Sequence, residues 1–248
     1  MKSAIFYYGL DLPPDRSKTT LLRDTAVVLQ PHHPLLSDDI FADYFPHCSL
    51  FVYWNPTGVQ PESLRAASEQ IPLVALDHVW DLVRLDLRSD AARRFAVGQG
   101  LRALRQTGAH VHGLFVDDLD LWSGPRRQSA AIAVLRQLQA EGAQDIRLFL
   151  NRAFSLWPKL DCLQAVLLEE LTPGVVKRLA PADTEWVERK VLPAIRRVRR
   201  RGVTVFGMTY EPTWEKPPHS RVSAGLAEVT DNIIMTCRSL DQWPEDLQ

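Results

Sequence analysis

The chain has 248 residues, 46% of them apolar, 24% charged and 8% aromatic, which suits one domain burying roughly three quarters of its unfolded surface. Lys and Arg number 29 and Asp and Glu 30, a formal charge of -1, so no global field draws the protein to nucleic acid or anionic lipid. Cys48, Cys162 and Cys237 are too few and too scattered for a disulfide framework or a paired-cysteine zinc site.

The N-terminal MKSAIFYYGLDLPP has too short an apolar run for a signal-peptide core, and no uncharged apolar stretch approaches the roughly 18 residues of a membrane span. The expected compartment is the cytoplasm for the chain as it stands, and secreted or periplasmic if an export signal has been removed.

Eight apolar, β-branched or aromatic runs follow one another: Ile5 to Tyr8, Ala26 to Leu29, Leu50 to Tyr53, Gly113 to Val116, Arg147 to Leu150, Ala165 to Leu168, Val203 to Met208 and Ile233 to Thr236. Helical stripes lie between several of them. Ala91 to Thr107 aligns Ala92, Phe95, Leu101 and Leu104; Ser129 to Glu141 aligns Ile132, Leu135 and Leu138; Asp183 to Arg201 aligns Trp186, Val187, Val191 and Ile195. Gly142, Gly202 and Thr107-Gly108 punctuate helix ends. Near-continuous apolar strands alternating with helices imply parallel pairing with both faces covered, and eight strands in this length imply an α/β fold, a (β/α)8 TIM barrel, as one domain over residues 1–248. Val79 to Leu87 is a ninth apolar stretch, expected to be an extended segment outside the ring.

In such a barrel the chemistry sits on the loops after the carboxyl ends of the strands. Those positions hold Asp11, then Asp117, Asp118 and Asp120, then Glu169 and Glu170, then Glu211 and Asp241. Alternation puts Asp117 on the same side as Phe115 and Gly113, and Glu169 on the same side as Leu167 and Ala165. Both acids then face the axis from strands 4 and 6, with Cα atoms roughly 10 Å apart and carboxylates roughly 5 to 9 Å apart. An acid that directly continues a buried apolar strand is costly unless a site uses it.

These segments resemble the endo-α-1,4-polygalactosaminidase family of glycoside hydrolases, which includes hydrolase domains acting on Pel-type galactosaminoglycan. His112-Gly113-Leu114-Phe115-Val116-Asp117-Asp118-Leu119-Asp120 is similar to the family's Asp-Gly-aliphatic-Phe-Leu-Asp-x-x-Asp strand end, and Phe149-Leu150-Asn151-Arg152-Ala153-Phe154 to its Asn-Arg-Gly-Phe element. Gln164 to Leu171 looks like the stretch that ends in a catalytic Glu, a place taken here by Glu169; Leu85 to Asp90, Phe6 to Gly9 and Val27 to His32 also look like family segments. The likeness runs thinly from about Ala4 to Trp243. Two departures stand out: Tyr53-Trp54-Asn55-Pro56-Thr57-Gly58 lacks the Glu of the family's Tyr-Ser-x-Gly-Glu, and His112 replaces the first Asp of the strand 4 motif.

The resemblance implies a hydrolase of α-1,4-linked galactosamine or N-acetylgalactosamine polymers, with Asp117 as nucleophile or charge stabiliser and Glu169 as general acid and base. Expected substrate contacts are Tyr8, Asp11, Tyr53, Trp54, Asp118, Asp120, Trp122, Asn151, Tyr210, Glu211 and Asp241, with Trp54 and Trp122 foremost among the rim aromatics because each follows a strand end directly. The alternatives are a polysaccharide-binding barrel without turnover and a glycosidase of other specificity on the same fold.

No metal or organic cofactor is expected. His110 and His112 precede strand 4 at the opposite end of the barrel from His32-His33, so these imidazoles do not converge. Arg196, Arg197, Arg199, Arg200 and Arg201 form the strongest charge run, which suits a helix C-terminus better than a nucleic-acid groove. The expected partner is a polysaccharide or oligosaccharide, with no nucleic acid and no membrane, and the oligomeric state is left open.

Overall fold

The computed structural model describes residues 1–36, 40–65, 67, 70–77, 81–107, 111–119, 125–141, 145–171, 181–210, 221–235 and 240–243. Eight parallel strands run in the order β1 (Ser3–Tyr7), β2 (Thr25–Leu29), β3 (Ser49–Trp54), β7 (Val111–Val116), β8 (Arg147–Asn151), β9 (Leu163–Glu169), β10 (Thr204–Thr209) and β11 (Asn232–Met235). That order never turns back, as it would in a doubly wound sheet. β1 lies against β11, and the Tyr8 N–H donates to the Leu240 carbonyl at 2.6 Å across the junction. The fold is therefore the expected (β/α)8 barrel.

Alternation along each strand sorts the side chains into two cores. Phe6, Phe51, Phe115, Phe149 and Phe206 fill the barrel with Ala4, Ala26, Ala165, Val28, Leu167 and Met208. The ring pairs Phe6–Phe115, Phe115–Phe149 and Phe149–Phe206 are 5.1, 5.2 and 5.6 Å apart. Val27, Leu29, Val52, Leu114, Val116, Leu150, Val166 and Leu168 face the other way, onto the helices. So many phenyl rings leave room only for small residues beside them. A Cβ on Gly113 would overlap the Arg147 carbonyl and lie 2.8 Å from the Phe51 ring. Gly113→Ala is accordingly expected to destabilise the barrel by roughly 1–3 kcal/mol or more, read from the urea midpoint at unchanged slope.

Helices Asp90–Arg105 and Pro125–Ala140 bury the stripes Ala92, Ala96, Val97, Leu101 and Ala131, Val134, Leu135, Leu138. The helix after β9 is not continuous. It runs as Pro181–Trp186, a π turn Val187–Val191 and Leu192–Arg199. Pro193 has no N–H to give and its ring crowds the preceding turn, which a widened turn relieves. Val187, Val191, Ile195 and Val198 carry the buried stripe, whereas Trp186 is 41% exposed and off it. The arginine run closes this helix: Arg199 meets Asp231 at 2.9 Å, Arg196 meets Glu228 at 3.8 Å, and Arg201 donates to the carbonyls of Trp157 and Leu160.

Outside the ring, β4 (Gly58–Val59), β5 (Leu73–Asp77) and β6 (Leu82–Leu85) form a small antiparallel sheet in the order β4-β6-β5. β6 lies within the ninth apolar stretch, of which the structure describes residues 81–87. β5, the apolar run Leu73-Val74-Ala75-Leu76, was not among the expected strands, and Leu73, Val74 and Leu76 are exposed.

Candidate active site

Three neighbouring strands end alike. The last inward residues of β7, β8 and β9 are followed by Asp118 (φ 59), Arg152 (φ 50) and Glu170 (φ 54), all in the left-handed region. Non-glycine residues rarely take that conformation, and each instance stops a strand abruptly and holds its last side chain over the barrel mouth.

Asp117, Asn151 and Glu169 meet there. The Asn151 carboxamide Nδ2 donates to Asp117 Oδ1 at 2.9 Å and to Glu169 Oε2 at 2.6 Å. One nitrogen thus spans both acids, and the two bonds laid end to end allow these oxygens no more than about 5.5 Å of separation. Each carboxylate also has its own tyrosine: the Tyr53 hydroxyl donates to Asp117 Oδ2 at 3.0 Å and the Tyr210 hydroxyl to Glu169 Oε1 at 2.6 Å. The Asp118 N–H adds a further bond to Asp117 Oδ1 at 2.8 Å. Asn151 is 6% exposed and its side-chain carbonyl oxygen has no partner among the described residues. Turning the amide over would aim that oxygen at two carboxylates, so their charge fixes its orientation.

Burial pushes the Asp117 carboxyl up to about 7; the Asp118 charge adds to this, the Asn151 hydrogen bond opposes it, and Glu169 pushes further in the same direction. Tyr53 and Tyr210 are raised by burial and then by the carboxylates they bond. Tyr8 packs edge-on to Tyr53 at 5.1 Å and is raised by burial, then by Asp117, Tyr53, Glu169 and Tyr210. All three phenols are therefore neutral proton donors at any working pH.

The other expected contacts divide. Trp54 does not face the cleft: it is 4% exposed and lies in the helix layer, where a Cβ on Gly100 would come within 3.0 Å of its indole. Following a strand end was the wrong cue, because Tyr53 points in and its neighbour must point out. Asp118 is likewise turned away from the pair, its Oδ2 accepting from Arg84 Nη1 and Asn55 Nδ2, both at 2.6 Å. Asp11 and Asp241 are exposed beside Tyr7, which burial and then both acids push up. Trp243 is buried there, stacked on Tyr7 at 4.1 Å, and its Nε1 donates to the Asp11 carbonyl at 3.1 Å. Asp120, Trp122 and Glu211 lie outside the described residues.

Sequence reasoning passed over Arg84 and Asn55. Arg84 stands out only as a lone cation in Leu82-Val83-Arg84-Leu85, and Asn55 only as a member of the segment that departs from the family's Tyr-Ser-x-Gly-Glu. His33 is buried, its Nδ1 accepting from the Leu35 N–H at 3.1 Å and its Nε2 3.3 Å from the Asp11 carbonyl; His112 Nδ1 accepts from the Leu50 N–H at 3.2 Å. Among the described residues no three His, Cys, Asp or Glu side chains cluster as a metal site.

The chain matches no protein-family model and no curated protein sequence. Its structure is similar to that of the glycoside hydrolase domain of PelA from Pseudomonas aeruginosa, with a TM-score of 0.70 and 20% identity over 97% of this chain and 96% of that one. It is also similar to Aspergillus fumigatus Ega3 in complex with galactosamine, with a TM-score of 0.61 and 14% identity over 98% of this chain and 92% of that one. At these identities the likeness establishes a shared fold along nearly the whole chain.

Proposed function

We propose that the chain is a glycoside hydrolase that cleaves α-1,4-linked galactosamine or N-acetylgalactosamine polymers with retention of configuration, using Asp117 and Glu169. The observation that carries this reading is the single amide spanning both carboxylates. It keeps the two bonded oxygens within about 5.5 Å, which suits the roughly 5–5.5 Å of retaining enzymes and falls short of the roughly 6.5–9.5 Å of inverting ones. The likeness to a glycoside hydrolase domain and to a protein holding galactosamine supports the substrate class.

In the first step Glu169 gives its proton to the glycosidic oxygen as the bond from that oxygen to C1 breaks, and an Asp117 oxygen forms an ester at C1. In the second, Glu169 takes a proton from water, the water oxygen attacks C1, and the ester opens to release Asp117. Two inversions leave the configuration unchanged. Tyr53 and Asn151 hold the Asp117 carboxylate by donating to it, and Tyr210 does the same for Glu169.

The scheme needs one proton in the pair, on Glu169. With Asp117 raised to about 7, the free protein keeps a proton at this site below neutrality, next to Glu169 across Asn151. Positive charge developing at C1 beside Asp117 favours its anion and leaves the shared proton on Glu169. Above pH 7 the last proton leaves and no acid remains. kcat/KM should thus be highest at mildly acidic pH and fall about tenfold per unit above pH 7, measured on an N-acetylated oligomer whose own charge does not change. The direct test is digestion of purified galactosaminoglycan, with products read by mass spectrometry and the first-formed anomer by NMR. An inverted first anomer overturns the retaining step. Binding without product gives the non-catalytic alternative, and cleavage confined to other polymers gives a different specificity.

A further inference from the structure

The small antiparallel sheet is joined to the candidate site through one cation. Arg84, on the middle strand β6, has a side chain 14% exposed. Its Nη2 donates to Asp77 Oδ2 at 2.5 Å, and its Nη1 to Asp118 Oδ2 at 2.6 Å and to the Thr57 hydroxyl at 3.2 Å. Asn55 donates to the same Asp118 oxygen, and its own Oδ1 is anchored by the backbone N–H groups of Thr57 and Gly58 and by the Thr57 hydroxyl. The Asp118 carboxylate is thus gripped from two sides while its backbone stands in the left-handed region. In that conformation its N–H reaches the Asp117 carboxylate.

We propose that Arg84 is a positioning residue for the reacting pair: by gripping Asp118 and balancing its charge, it sets where the Asp117 carboxylate is held and how much negative charge surrounds it. This rests on the assignment of Asp117 and Glu169 to the chemistry. A neutral donor would be enough to fasten the sheet. A guanidinium does more, because Asp118 is the charged neighbour that acts most strongly on Asp117. Among the described residues the titratable groups facing Asp117 are Tyr8, just beyond β1, Tyr53 from β3, Asp118 beyond its own strand, Glu169 from β9 and Tyr210, just beyond β10. The tyrosines stay neutral, so the charge near Asp117 is set by Asp118 and Glu169, and Arg84 offsets the first. Arg84 itself faces Asp77 and Asp118.

The two ends of this ion pair can be removed separately, and charge and structure then part company. Arg84→Gln takes away a positive charge and should raise the pH midpoint of Asp117 by about 0.5–1 unit. Asp118→Asn takes away a negative charge and should lower it by a similar amount. Asparagine adopts the left-handed conformation readily and keeps an oxygen for Asn55 and Arg84, so the turn survives. Arg84→Lys restores the charge without the fork and should return the midpoint towards that of the unaltered protein. Arg84→Gln combined with Asp118→Asn should do so too.

The midpoint is read on the unliganded protein from the 13C carboxyl resonance of Asp117, assigned by its loss in Asp117→Asn. The basic limb of kcat/KM should move with the same signs. Shifts of opposite sign support the proposal. No shift, or shifts of one sign in both variants, overturns it, because a purely structural tether would disturb the site alike from either end. Should Arg84→Gln not fold alone, the double variant set against Asp118→Asn decides: its midpoint should stand about 0.5–1 unit above that of Asp118→Asn, and an equal midpoint overturns the proposal. A protein that cleaves no glycan yet shows opposite shifts loses the proposed function and keeps the coupling; one that cleaves glycan with unmoved midpoints does the reverse.

Discussion

Glu169→Gln and Asp117→Asn are each expected to lower turnover of a galactosaminide polymer on the order of 100-fold or more while leaving the barrel folded and binding largely intact. Both changes are nearly isosteric. Asn151 and the tyrosine bond different oxygens of each carboxylate, so a carboxamide keeps its oxygen towards Asn151 and turns its NH2 to the phenol oxygen of Tyr210 or Tyr53, which can accept, and the frame of the site persists. What disappears is proton donation at one position and a nucleophilic anion at the other. A substrate with a good leaving group separates these roles. A nitrophenyl glycoside needs little help from an acid, so Glu169→Gln should recover much of its first-step rate on it, whereas Asp117→Asn should not. The double variant should fall little below the worse single one, because two groups serving one reaction do not contribute additively. Wild-type turnover in either single variant would overturn the assignment, and rescue of Asp117→Asn but not Glu169→Gln would exchange the two roles.

The parts of this site that could be read from the sequence were those governed by strand alternation. Phe115 and Leu167 are inward, so the acids two residues beyond them are inward as well, and Asp117 and Glu169 are neighbours across Asn151. The same rule read carefully would have turned Trp54 outward, since Tyr53 and Trp54 cannot both face the axis. Asn151 stood among the expected substrate contacts through its motif, and nothing in the sequence shows that its amide spans both acids. That arrangement depends on how far β8 is staggered against β7 and β9, with Asn151 level with Leu167, and stagger is a property of the closed ring. Arg84 was illegible for a different reason. It acts across a crossing between β6 and the end of β7, and neither the two-residue β4 nor the uniformly apolar Leu73-Val74-Ala75-Leu76 of β5 carries an alternation that would place it.

Asp117→Asn should also make the protein more stable above neutral pH while it abolishes activity. Asp117 is half-buried at the barrel mouth, and burial raises its carboxyl from an ordinary value of 3.8 to about 7. The folded protein therefore holds this proton more tightly than the unfolded chain does. Below about pH 4 both states are protonated and the group costs nothing; as pH rises from there the unfolded chain ionises first, and folding loses free energy until the folded carboxyl ionises as well, near pH 7. Three units of displacement correspond to on the order of 4 kcal/mol by pH 8. Asparagine carries no charge at any pH and avoids this cost. Its amide exchanges some hydrogen bonds with Tyr53 and Asn151, a change on the order of 1 kcal/mol that does not depend on pH. Urea unfolding should thus show the variant about as stable as the unaltered protein at pH 4.5 and more stable by a few kcal/mol at pH 8. Equal destabilisation at both pH values would mean that the half-buried carboxylate is well solvated by its hydrogen bonds and stores nothing. The sign expected here follows from the demand of the reaction itself: a carboxylate kept away from water, beside two other acids, is a poor contributor to folding and a ready partner for positive charge at a sugar carbon.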